Sequence, residues 1–151
     1  MKRLIFCAIA ALSVTTIFSN IASADTTPED ALDYRISVMT VLRGHIGAAS
    51  KIVRGLVSDD GYLAEHAEGI AVAATELSRI FPEGSNVGES ESLPLIWEEP
   101  EAFADAISKS KEAATAFVTA AQSGDRAAIG KAFRNLGGSC RGCHDQYRVK
   151  N

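Results

Sequence analysis

Apolar residues recur at helical spacing through four separate segments of the chain. In the first, Leu32, Ile36, Met39, Leu42, Ile46, Ala49, Val53 and Leu56 follow one another at steps of three or four. That spacing lines up side chains on one face of an α-helix. The preceding TTPED supplies a start: Thr27 as cap, Pro28 at the first helical position, and Glu29 and Asp30 at the positive end of the helix dipole. Gly55 marks the expected end. The second stripe begins after SDDG and runs through Leu63, Ala67, Ile70, Ala74, Leu77 and Phe81, where Pro82 and Gly84 stop it.

A long stretch, PEGSNVGESESLPLIWEEP, carries no helical stripe, and its Gly, Ser, Asn and Pro content predicts a connection. A connection of that length is packed down by its own apolar residues or has a function. Leu95, Ile96 and Trp97 are the expected packing points. The third stripe opens near Pro100 and runs through Phe103, Ile107, Ser110, Ala114, Phe117 and Ala121. Gly124 closes it, and Asp125 caps the fourth, which runs through Ile129, Phe133, Leu136, Cys140, Cys143 and Tyr147. No segment alternates like a strand for long. The pattern predicts an all-α fold, an antiparallel four-helix bundle with two short loops and a longer one in the middle.

The first residues stand apart from these stripes. Lys2 and Arg3 precede an apolar run from Leu4 to about Phe18, and Ala22-Ser23-Ala24 gives a small-x-small cleavage pattern. Residues 1–24 are therefore expected to be a cleaved secretory signal peptide, and residues 25–151 the mature domain, exported to the periplasm. The apolar run is short for a membrane anchor and is diluted by Ser13, Thr15, Thr16, Ser19 and Asn20. No second long apolar segment follows, so no membrane span is expected in the mature chain. Cleavage removes Cys7, Lys2 and Arg3, leaving Cys140 and Cys143 as the cysteines and 13 basic against 19 acidic residues, a net −6. So acidic a domain does not suggest a nucleic-acid partner.

The remaining cysteines belong to GGSCRGCHDQYR. Cysteines at i and i+3 of a helix share a face, so both sulfurs can form thioethers with the vinyl groups along one porphyrin edge. His144 follows at once, and its imidazole can reach the iron of a haem held there. C-x-x-C-H is the signature of c-type haem attachment. Thioether formation also removes both thiols from disulfide chemistry in an oxidising compartment. Zinc would need four ligands, usually two pairs, and beyond this motif the mature chain has only His45 and His66 as further Cys or His residues. A thioredoxin-like pair belongs beside a βαβ pattern, which is missing. One covalently attached haem c is the expected cofactor.

With the haem motif on the last of four exported helices, the chain resembles class II cytochromes c, the cytochrome c′ family. EDALDYRISVMTVLRGHIGA resembles the family's first helix, with its Tyr-Arg pair and later His-x-Gly; IWEEPEAF resembles the entry to the third; GGSCRGCHDQYR resembles the C-terminal signature. The resemblance spans nearly all of residues 25–150. It implies His144 as proximal iron ligand and a distal pocket facing the first helix. It places Met39, four residues after the arginine of the Tyr-Arg pair, over the distal side of the iron. In six-coordinate members a methionine there binds the metal, whereas many five-coordinate members carry an apolar side chain that blocks a sixth ligand. Some five-coordinate relatives also have Met at this position. The resemblance further implies that Arg35 pairs with a haem propionate and that Arg148 lies beside the proximal pocket. Phe133 and Leu136 are expected to pack on the macrocycle, with Tyr34 and Trp97 as possible border residues.

The sequence expectation is a one-electron carrier with His144 and Met39 as axial ligands, since a thioether opposite histidine raises the potential. The alternative is a five-coordinate haem that binds nitric oxide or carbon monoxide, with Met39 unbound. Periplasmic redox proteins are the expected partners, basic ones matching the acidic surface. A homodimer through the first two helices is a further implication of the resemblance. No nucleophile–base set or catalytic carboxylate pair can be assigned, so no enzyme is expected. His45 lies six residues after Met39, about 600° around the helix at ~100° per residue, on a different face. His66 sits between Glu65 and Glu68 and is expected at the surface. Both are read as ordinary histidines.

Overall fold

The computed structural model describes residues 26–150; the signal segment expected at residues 1–24 lies outside them. Four long helices form the bundle: α1 (Pro28–Val53), α2 (Tyr62–Thr75), α4 (Pro100–Ser123) and α5 (Arg126–Tyr147). A single helical turn, α3 (Leu95–Glu98), sits in the long connection. The predicted all-α four-helix bundle is the observed fold.

The helix ends follow from local chemistry. The Thr27 Oγ1 accepts from the Asp30 N–H at 3.1 Å, with Pro28 at the first helical position. At the other end Gly55 takes φ 71°, and Leu56 and Gly55 donate to Lys51 and Ile52 carbonyls, each at 2.9 Å. These are the reversed bonds that close a helix on a left-handed residue. Gly124, φ 69°, closes α4 with a single such bond, its N–H donating to the Ala121 carbonyl at 3.4 Å. Asp125 then caps α5, its Oδ1 accepting from Ala127 and Ala128 N–H at 2.8 and 3.3 Å.

The second helix ends earlier than its stripe. The α-helix stops at Thr75, Glu76–Ser78 form a tighter 3₁₀ turn, and Phe81 lies beyond both. Pro82 disfavours the α conformation at Phe81, and tertiary donors take the carbonyls that this leaves unpaired. Arg35 Nη1 donates to the Ile80 carbonyl at 3.2 Å, and Trp97 Nε1 to those of Phe81 and Pro82, both at 3.2 Å.

In the bundle α1 packs on α2, α2 on α4 and α4 on α5, while α1 meets α5 only sparsely. The main core is built from Ala49, Ile52, Leu63, Ala67, Ile70, Ala74, Ala114, Phe117, Ala120, Ile129 and Leu136. Alanines at nearly half of these positions let the helix backbones approach closely. A second apolar cluster of Ile96, Phe103, Ile107 and Tyr147 lies beneath the long connection.

Candidate functional site

The cysteines occupy the inward face of α5, as their register predicts. Cys140 packs against the main core and Cys143 against the second cluster. Both are half-buried and unbridged. Burial raises both thiol pKa values, offset at Cys140 by the hydrogen bond from Ser139 and reinforced at Cys143 by Cys140. His144 is half-buried beside them, and burial, then the nearby Arg148 cation, lowers its pKa. The shift favours the neutral imidazole, the form that ligates a metal.

Around Cys143 the walls are aromatic and aliphatic. Phe103 packs edge-on to Phe81 and Tyr147, with centroids 5.0 and 4.9 Å apart. A cavity of about 430 Å³ shares Leu77, Phe81, Ile96, Trp97, Phe103 and Ile107 with this cluster. Trp97 thus borders the cluster that holds Cys143, anchored by its indole N–H. Leu136 is buried, and Phe133 packs 5.3 Å from Phe117 in the main core.

Met39 is half-buried on α1, one turn beyond Arg35, and is not among the side chains of either apolar cluster. Two thiols on one helical face, a neutral imidazole next to them, apolar walls and two helices that barely touch together fit a covalently held haem.

The arginines do something the sequence did not reveal. Arg35 is only 4% exposed. Besides Ile80, it donates from Nη1 to Ser85 Oγ at 2.9 Å and from Nη2 to the Ser85 carbonyl at 2.8 Å and Ser90 Oγ at 3.3 Å. Its guanidinium also lies 4.9 Å from the Phe81 ring centroid. Arg35 therefore pins the long connection to α1. Arg148 is half-exposed, its Nε 3.9 Å from Glu91 Oε2. Its backbone N–H caps α5 at the His144 carbonyl, 3.2 Å away. A short antiparallel bridge joins Arg148 to Ser92, with Leu93 N–H donating to the Tyr147 carbonyl and Val149 N–H to that of Glu91. The connection is thus fastened on both sides of the site, one turn before Met39 and one turn after His144. Tyr34 faces outward, its hydroxyl donating to Glu76 and accepting from Arg79.

Sequence reasoning missed one constellation. His45 and His66 are both half-buried and meet between α1 and α2, Nδ1 to Nδ1 at 3.1 Å. A single helix period cannot show this, because it depends on the register between two helices.

The family profile described as Cytochrome C′ matches residues 30–148. The chain belongs to the cytochrome c′ family. It is 39% identical to the cytochrome c′ of Pararhodospirillum photometricum over 123 residues, 80% of this chain and 98% of that protein. It is 35% identical to that of Rhodospirillum rubrum over 151 residues, 99% of each. Among solved structures, the nitric oxide complex of a mutant cytochrome c prime from Alcaligenes xylosoxidans superposes with a TM-score of 0.77 at 29% identity, covering 82% of this chain and 98% of that one. As a cytochrome c′ family member, the chain carries one haem c, attached through Cys140 and Cys143. No helix among the described residues is long and apolar enough to cross a membrane.

Proposed function

We propose that this cytochrome c′ family chain is a periplasmic five-coordinate haem protein that binds nitric oxide or carbon monoxide and catalyses no bond chemistry. This departs from the six-coordinate electron carrier that Met39 suggested in the sequence. The observation that carries it is the close likeness to cytochromes c′, one of them solved as a nitric oxide complex. A ferrous haem with one protein ligand offers an open axial position to a diatomic molecule.

The chain's own residues then have distinct tasks. Cys140 and Cys143 would hold the group on α5, and His144 would supply the proximal ligand. Met39, half-buried on α1, would cover the distal side of the bound haem without ligating it; its unbranched, flexible side chain would exclude water yet yield to a diatomic. Arg148 caps the helix that presents His144, so the proximal side is fixed by the connection as well as by α5. Arg35 holds the wall beside Met39, and pairing with a propionate would require it to share a guanidinium already bonded to Ile80, Ser85 and Ser90.

The test is Met39→Ala with visible and magnetic spectra of the ferrous protein. The five-coordinate reading expects a high-spin wild type that binds carbon monoxide. The variant should keep that spin state and bind the gas at least tenfold faster. A low-spin wild type that refuses carbon monoxide and turns high-spin on substitution would instead establish the His144/Met39 carrier, working with periplasmic redox partners.

A further inference from the structure

The histidine pair between α1 and α2 lies outside the haem site and is not used by it. Its rings meet at 5.4 Å between centroids and 64° between planes. Gly69 makes room for it: a Cβ at that position would fall 2.5 Å from His45 Cε1 and 2.7 Å from its Nε2. His66 and Gly69, three residues apart, share a face of α2. That face therefore presents one imidazole and a gap that receives the other.

The separation is that of a hydrogen bond, and it also suits a chelate once the two rings turn their lone pairs off the N–N line toward a common point. Imidazole nitrogens sit ~2.0–2.1 Å from a borderline divalent ion, so two of them at angles of ~100–109° lie roughly 3.1–3.4 Å apart. The observed 3.1 Å falls in that range. We propose that His45 Nδ1 and His66 Nδ1 bind a divalent transition-metal ion that staples α1 to α2. Imidazole ligands and the divalent series favour Cu²⁺ over Ni²⁺ and Zn²⁺. Among the described residues no group of three or more His, Cys, Asp and Glu side chains converges on a point. With two protein ligands, water would complete the coordination.

The proton balance is simple. Without metal, one Nδ1 carries a hydrogen and donates it to the other. Ligation needs both lone pairs, so the donating ring moves its hydrogen to Nε2 and a neutral pair releases no proton. A pair holding one imidazolium releases one.

The experiment is calorimetric titration of the untagged holoprotein with Cu²⁺ and with Zn²⁺, for wild type, His66→Gln and Gly69→Ala. Haem spectra confirm that each variant is folded and that the ion leaves the iron untouched. We expect one equivalent bound by wild type, at least tenfold weaker binding in His66→Gln, and a rise in melting temperature with metal in wild type alone. Gly69→Ala keeps both histidines but displaces the His45 ring, so it should also bind more weakly. Equal binding by all three proteins would overturn the proposal, placing the ion elsewhere. Absence of wild-type binding would overturn it too, leaving only a hydrogen-bonded pair.

Discussion

Arg35 is a buried guanidinium that ties the long connection to α1. Its position one turn before Met39 was legible in the sequence. Its bonds to Ile80, Ser85 and Ser90 were not, because those partners lie 45 to 55 residues away on a connection without periodicity. Replacing Arg35 with Met should remove these charge-assisted bonds and leave buried carbonyls unpaired, costing about 2–3 kcal/mol. Ser85→Ala removes one acceptor and should cost about 1 kcal/mol. Thermal unfolding of the ferric holoprotein checks both. Equal stability of Arg35→Met and wild type would mean that the arginine has no structural part. The histidine pair was illegible for a related reason. Each residue alone sits unremarkably on its own helix, and only the facing of α1 on α2 brings them together.

At the scale of the elements, chemistry confined to a few residues was easiest to read. Thr27 and Asp125 cap where expected, and Gly55 and Gly124 take the left-handed conformation that closes α1 and α4. Asp125→Ala should therefore cost about 1 kcal/mol by exposing the Ala127 and Ala128 N–H groups at the start of α5. A chemical denaturation midpoint unchanged from wild type would contradict the cap's contribution. The end of α2 was misjudged because the stripe continues past the helix. Leu77 packs inward whether its backbone is α or 3₁₀, so hydrophobic spacing alone cannot locate the transition. The Ser92–Arg148 bridge was invisible for the complementary reason, since it joins partners distant in sequence; the α3 turn closes on local bonds of its own but is anchored by the Trp97 indole on the Phe81 and Pro82 carbonyls.

At the scale of the whole bundle, the exposed apolar side chains among the described residues are unevenly spread. Ile36, Val41, Leu56, Val57, Tyr62 and Val72 lie on α1, α2 or their connection, and Val72 is 68% exposed. This asymmetry makes the first two helices the candidate face for the homodimer that the family resemblance allows. Light scattering should report a dimer for the holoprotein and a shift toward monomer for Val72→Glu; a monomeric wild type would refute it.

The half-buried thiols carry a last consequence, for the order of events in biogenesis. In the closed bundle Cys140 and Cys143 face inward with raised pKa values, which makes them poor nucleophiles. Half-buried thiols on the inward face favour attachment on a chain whose last helix is still accessible. The haem would then act as the template on which α1 and α5, so sparsely joined by their own side chains, are brought together. Haem offered to the prefolded, cofactor-free protein should become covalently linked far more slowly than haem offered to the unfolded chain, as in-gel haem staining can measure. Equal rates would show that the bundle opens freely at this seam.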